Sequence, residues 1–272
     1  MSDYETIQGV RMAVIPAGKF LMGHEYREDP AIPADINVYF PDEQPVHEET
    51  LPAFQLGATT VTQAQYERVM KVNPSTFKGA DLPVTNLGPF EIRTFCNQLS
   101  QMAGLAPCYR EAPNSGQGGR VLQPAADATR NGFRLPFERE WEYACRAGTR
   151  TMFYTGNTEA DLARAGWYRA NSGGTTHPVG QKVPNAWGLY DMHGNVFEFC
   201  DDDFIPSLAY GRYLPKGSTP DFNYYHNLNL ARGGGWFSDA AVCRCATRSC
   251  FCSWQNINQS YYMGFRVART TS

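Results

Sequence analysis

The cysteines of this 272-residue chain are its most reactive-looking feature. Cys243, Cys245, Cys250 and Cys252 crowd into ten residues as two C-x-C pairs, while Cys96, Cys108, Cys145 and Cys200 are scattered. Thiolates ligate soft metals and exchange disulfides. Structural zinc sites, however, usually space their paired cysteines as C-x₂₋₄-C. On a strand, residues i and i+2 share a face, so each pair could hold a metal. It could equally be two small apolar side chains in a core, which is the simpler reading. Glu138, Glu140 and Glu142 beside Arg134 have the makings of acid–base chemistry. Ion-pair networks perturb carboxylates without doing chemistry, and a structural role is preferred here. His24, His47, His177, His193 and His226 are dispersed without ligand spacing and read as surface or hydrogen-bonded histidines. Gly233-Gly-Gly235 precedes neither a helix nor Lys-Ser/Thr, so it is not a phosphate loop. There is no Gly-x-Ser-x-Gly elbow.

These groups need elements to position them. Met12–Gly23 reads as a hairpin turning at Pro16-Ala-Gly18, and Phe54–Ala58 as a strand. Thr62-Gln-Ala-Gln65 has the capping-box form and predicts a helix with Tyr66, Val69 and Met70 on one face. A second helix is expected from about Phe90 to Ala103, with Phe95, Leu99 and Met102 inward. A shorter one follows Pro136, through Trp141 to Ala147. From Gly148 onward no helical period is visible, and short strands are expected at Arg244–Arg248 and Gly264–Ala268. No linker divides the chain, so residues 1–272 read as one α+β domain of short strands, two or three helices and long loops pinned by aromatic packing. A net charge of −3 without a basic block argues against nucleic acid as a partner. No apolar run approaches a membrane span. The first residues carry no export signal, so the chain as written is expected in the cytoplasm, or at a surface if a signal has been removed.

The segment from Arg232 to Arg266 has two textures. Arg232-Gly-Gly-Gly-Trp236, Ala240, Cys243-Arg244, Ala246, Arg248 and Gly264-Phe-Arg-Val267 look like a fixed frame. Between them stand Phe237, Ser238, Asp239, Val242, Cys245, Thr247, Cys250, Phe251, Cys252, Asn256, Asn258, Tyr261 and Tyr262. These share no chemistry, yet every one can be encoded by a codon ending in a pyrimidine, the set that adenine mutation of AAC-type codons generates. Trp254 and Gln255 cannot, and would be template residues. Rigid aromatics and adaptable Asn and Ser side chains suit a contact surface. The alternative, that the aromatics are ordinary core, would call for a periodicity that is absent here.

Several stretches, taken in order, carry a family resemblance. They are Ile15-Pro-Ala-Gly-Lys-Phe-Leu-Met-Gly23, Gln44-Pro-Val-His47, Thr60–Tyr66, Phe133-Arg-Leu-Pro-Phe-Glu-Arg-Glu-Trp-Glu-Tyr-Ala144, Pro184–Phe199, Arg232–Trp236 and Gly264-Phe-Arg266. The chain resembles the formylglycine-generating-enzyme/sulfatase-modifying-factor domain over nearly its whole length. That implies a C-type lectin-like fold, which does not fix a function. The family's oxidase holds copper(I) on two cysteines. Carried onto this chain, these positions are Ser238 and Cys243, and a hydroxyl does not replace a soft thiolate. No copper is therefore expected. Cys245 and Cys250 keep the five-residue step, but in a different register.

The Arg232–Arg266 texture resembles the variable region of diversity-generating retroelement proteins, which use the same fold. This implies a non-catalytic binding protein whose contact residues, in region 232–268, are the interleaved set together with Trp254, and whose partner is a protein or other macromolecule. A copper-dependent formylglycine-generating oxidase and an accessory domain with one fixed partner remain the alternatives. The family also implies a calcium loop, with carboxylates from Asp191 and Glu198 and carbonyls from Gly194 and Val196. The other reading of that loop is a turn held by Gly194 and Asn195. A second family calcium site lacks its acid in Ser172–His177.

Overall fold

The computed structural model describes residues 4–24, 43–113, 120–124, 130–203, 228–252 and 261–270. Two four-stranded sheets organise them. The first has the order β1-β2-β5-β12, all antiparallel: β1 Tyr4–Ile7, β2 Val10–Ile15, β5 Phe54–Gly57 and β12 Ala268–Thr270. The second has the order β10-β9-β8-β11: β10 Ser249–Cys252, β9 Leu228–Arg232, β8 Phe197–Asp203 and β11 Met263–Gly264. In it β11 runs parallel to β8. Two ribbons complete the strands, β3 Gly18–Met22 with β4 His47–Leu51 and β6 Tyr109–Pro113 with β7 Arg120–Pro124.

The expected hairpin at Met12–Gly23 is not one. β2 pairs with β1 and β5, whereas β3 pairs with β4. Pro16 supplies no amide to a ladder, and Pro16-Ala17 turns the chain from one sheet to another. The expected strand Gly264–Ala268 is likewise divided. Met263–Gly264 closes one sheet and Ala268–Thr270 the other, so Phe265-Arg266-Val267 crosses the interior between them, wholly buried. Arg244–Arg248 is not a strand either. A 3₁₀ turn, Ala240–Cys243, precedes it, and pairing starts only at Ser249.

Helix α1, Gln63–Met70, starts as its sequence dictates. The Thr62 hydroxyl accepts from the Gln65 amide at 3.2 Å, and the Gln65 side chain accepts from the Thr62 amide at 2.9 Å. Helix α2 spans Pro89–Met102 and buries Ile92, Phe95, Cys96 and Leu99. Met102, expected inward, is exposed; the buried stripe ends at Leu99 and Ser100, and Met102 falls on the far side of the last turn. Phe95 stacks on Tyr66 and meets Phe265 edge-on, joining both helices to the crossing segment. Helix α3, Glu138–Arg146, is buried everywhere except Arg139 despite its charges. A fourth helix, Glu159–Ala165 (α4), falls in the stretch where none was expected. Its mark was present: the Thr158 hydroxyl accepts from the Asp161 amide, and the Asp161 carboxylate accepts from Thr158 in return. Seven residues are too few to display a helical period.

Candidate functional site

Buried ion pairs hold the C-terminal segment in place. A charge is kept from water only where a partner compensates it. Arg232, at the end of β9, donates to Glu142 through Nη2, its Nε stands 3.2 Å from Glu138, and its Nη1 donates to the carbonyls of both Cys245 and Thr247. Arg244 grips Glu43 through two bonds of 2.7 and 2.8 Å. Arg248 pairs with Glu138. Arg266 donates to both oxygens of Glu198 at 2.6 Å. Arg134 closes on Glu140 in the same bidentate way, at 2.7 Å. The carboxylates of α3 are thus committed to structure, as the ion-pair reading expected. Two left-handed glycines then turn the chain: Gly233 at φ +89 and Gly234 at φ +72. A Cβ on Gly234 would stand 2.6 Å from the Cys243 sulfur.

On this frame the aromatic side chains gather. Trp236, Phe237, Tyr261 and Tyr262 form a ring-on-ring cluster with centroids 4.9–6.1 Å apart, and Phe77 meets Trp236 edge-on at 5.9 Å. All are half-buried. Phe237 and Tyr262 also reach inward to Phe197. Asp239 is exposed at the rim, paired with Arg169. The structure therefore brings together Phe237, Tyr261 and Tyr262 from the interleaved set. It adds Trp236, which reads as frame, and Phe77, a lone aromatic in a polar loop with nothing in its sequence context to mark it.

Other interleaved residues lie elsewhere. Ser238 is buried, its hydroxyl accepting from the Gly235 amide to close a tight turn. Thr247 is buried, its hydroxyl donating to the Ala241 carbonyl. Cys245 is fully enclosed. These three are not surface contacts, because their side chains complete turns or the core. Val242 is half-buried against the main core. Phe251, Cys250 and Cys252 lie on β10 by their backbone, opposite Asn229, Leu230 and Leu228. Trp254, Asn256 and Asn258 lie outside the described residues.

The cysteine pairs do not act as pairs. Cys243 packs with Phe153, Leu162 and Tyr168, whereas Cys245 joins the cluster around Trp141 and Cys145. A 3₁₀ turn, not a strand, carries Cys243, so the two side chains part. In the oxidase register the Ser238 hydroxyl is engaged by the Gly235 amide, and Cys243 packs among Phe153, Leu162 and Tyr168. A hydroxyl in place of one thiolate is a poor copper ligand set. Of the scattered thiols, Cys96, Cys145 and Cys200 are buried and Cys108 is half-buried.

The carried-over calcium set does not fit a calcium ion. Both oxygens of Glu198 are taken, one by Arg266 alone and the other by Arg266 and the Trp141 indole N–H at 2.8 Å. A carboxylate neutralised by a guanidinium has little left for a hard cation. The Gly194 amide donates to the Gly233 carbonyl, which stitches this loop to the frame. Asp191 accepts from the Gly180 amide, its other oxygen is buried without a partner, and burial raises its pKa to about 6. The histidine of the same loop, His193, is hydrogen-bonded, as expected of it, and lies fully buried beside Cys145 and Cys245, a meeting its sequence spacing did not mark.

Fold, frame and loops together define a domain of the sulfatase-modifying-factor type. The profile of the sulfatase-modifying factor enzyme 1-like domain matches residues 2–271, and the chain belongs to that family. It is 30% identical over 213 residues to the chaperone protein LppX of Paenibacillus barcinonensis, covering 70% of this chain and 71% of that one. It is 27% identical to the formylglycine-generating enzyme of Mus musculus, over 95% of this chain and 74% of the relative. It spans only 38% of the serine/threonine-protein kinase pkn1 of Chlamydia caviae, to which it is 32% identical. Among solved structures, Treponema denticola variable protein 1 superposes with a TM-score of 0.76 at 30% identity, covering 99% of both chains. This bears out the C-type lectin-like fold and the resemblance to the variable proteins. PvdO of Pseudomonas aeruginosa, at 23% identity and a TM-score of 0.71 over 99% of this chain and 98% of that one, shares the fold.

Proposed function

We propose that this chain is a non-catalytic binding protein that presents a variable, aromatic-rich face on a C-type lectin-like scaffold. The observation that carries this is the division of the C-terminal segment. Its frame arginines Arg232, Arg244 and Arg266 are buried and ion-paired, whereas Phe237, Tyr261 and Tyr262 from the interleaved set converge on one half-exposed cluster. Aromatic patches of this kind mark interaction sites on soluble proteins. Tyr and Trp contribute large contact areas at low entropic cost, which suits a protein or other macromolecular partner. Similarity to a variable protein along the whole chain supports the same reading. Among the described residues no helix is long and apolar enough to cross a membrane.

The test is genetic. Sequencing the coding region and its flank in several isolates should find substitutions confined to the interleaved codons and directed at adenine. A neighbouring reverse transcriptase gene with an adenine-rich near-repeat of the 3′ end should accompany them. Uniform or undirected substitution would sink the reading. Enzyme relatives such as the Mus musculus protein keep the oxidase as the second reading. Incubating the protein with Cu(I) and a Cys-x-Pro-x-Arg peptide, then weighing the peptide, decides it: conversion of the thiol would replace the binding reading with a catalytic one.

A further inference from the structure

Cys145, His193 and Cys245 come from three separate stretches: the last turn of α3, the loop before β8 and the segment after the 3₁₀ turn. All three are fully buried. Their ligand atoms form a triangle, with the two sulfurs 3.6 Å apart and the His193 Nε2 3.9 Å from Cys145 Sγ and 4.0 Å from Cys245 Sγ. A metal with bonds of about 2.3 Å to sulfur and about 2.0 Å to nitrogen sets two trigonal sulfurs about 4.0 Å apart and each sulfur about 3.7 Å from the nitrogen. The sulfurs must part and the imidazole approach by only a few tenths of an ångström to reach those edges.

The imidazole is set for such a role. Its Nδ1 donates to the Cys243 carbonyl at 2.7 Å, which fixes the tautomer and leaves Nε2 as the acceptor. Tyr154 stacks on the ring with centroids 4.6 Å apart, and Phe153 meets it edge-on at 5.4 Å. At present Nε2 accepts from the Tyr154 amide at 3.1 Å. That neutral hydrogen bond is what a metal would replace.

We propose that Cys145, His193 and Cys245 form a closed, three-ligand site for a soft monovalent d¹⁰ ion, copper(I). Soft thiolates and imidazole select copper(I) or zinc. Structural zinc takes four ligands, and among the described residues no fourth Cys, His, Asp or Glu joins the cluster. Binding releases the two thiol protons to solvent and transfers no electrons. The resulting unit, one cation on two thiolates, carries a charge of −1. The site lies outside the Ser238/Cys243 register and uses none of the rings of the binding face; of the interleaved set it takes only Cys245, which is enclosed rather than exposed, so failure to hold copper leaves the proposed function standing.

The experiment uses the whole reduced chain, loaded anaerobically with copper(I) in one sample and with zinc(II) in another, then desalted. Expected are one copper per chain, a thiolate-to-copper absorption in the near ultraviolet, and two fewer thiols open to alkylation under denaturing quench. X-ray absorption on the wild-type protein should give two sulfurs and one nitrogen, which keeps the test decisive even if variants misfold. Cys245→Ser and His193→Gln should each weaken copper retention against a chelator at least tenfold, whereas Cys96→Ser and Cys243→Ser should leave it unchanged. Four results would overturn the site: copper below half an equivalent, zinc held in preference to copper, retention that depends on Cys243 rather than Cys245, or a Cys145–Cys245 disulfide already present under anaerobic conditions.

Discussion

The buried frame and the aromatic face lie side by side in the same forty residues and are built on opposite principles. In the frame, Arg232, Arg244 and Arg266 are inaccessible to solvent, and each meets a carboxylate from a distant part of the chain: Glu142, Glu43 and Glu198. Each pair is worth keeping mainly because removing one partner strands the other in a low-dielectric interior. The face is held by ring contacts 4.9–6.1 Å apart and by partial exposure. Ring contacts are weak one by one and tolerate exchange. The difference teaches why one stretch of chain can combine a rigid scaffold with changeable contacts. Substitution is costly where charge is buried and cheap where a side chain is half in water.

Breaking the frame should give the largest effect. Arg232→Met takes one of two buried counter-charges from Glu142, Arg146 being the other, strands the Cys245 and Thr247 carbonyls, and should cost about 3–5 kcal/mol in denaturant unfolding. A loss under 1 kcal/mol would mean the frame is not what holds the segment.

Next in size is a pH effect at the edge of the frame. Asp202 accepts from the Glu138 amide, and its pKa is raised to about 6, first by burial and then by the neighbouring acids Glu138, Asp201 and Glu140. A raised carboxyl pKa means that folding takes up a proton between the unfolded value, near 4, and about 6. Its contribution to stability therefore falls as pH rises through that window, by up to about 3 kcal/mol. Unfolding curves at pH 4.5 and pH 7 should differ less in Asp202→Asn than in the wild type, and an unchanged difference would refute the assignment.

Trp141→Phe removes one donor from Glu198 but leaves Arg266 in place, and should cost about 1–2 kcal/mol. The smallest effect is expected on the face. Tyr261→Ser should lower stability by under about 1 kcal/mol, since its ring is half-exposed and its contacts are edge-on or tilted. A loss comparable with that of Arg232→Met would erase the distinction between the two regions.

Much of the framework was legible in residue order. The Thr62 cap and the Pro136 start of α3 announced themselves, because caps are local chemistry. The Arg-Gly-Gly-Gly-Trp and Gly-Phe-Arg stretches marked the frame. The Met12–Gly23 hairpin and the Arg244–Arg248 strand misled because each depends on which sheet the chain joins next, and no local pattern records that. The interleaved residues were readable as a set through their codon pattern. Their individual fates were not: Tyr261 and Ser238 look equally exchangeable in sequence, yet one sits on the face and the other closes a turn.

The sequence by itself determined the family, the α+β architecture, the broken Ser238/Cys243 register and the two textures of the C-terminal segment. Those are properties of ordered motifs and residue types, which survive without coordinates. Only the tertiary structure decided which carboxylate each arginine meets, that Glu198 serves Arg266 rather than an ion, and that Cys245 belongs with Cys145 and His193. The two cysteines are 100 residues apart in sequence, and their sulfurs lie 3.6 Å apart. Such a meeting is fixed by the packing of α3 against β9 and the glycine turn that follows, and packing is a property of the whole chain.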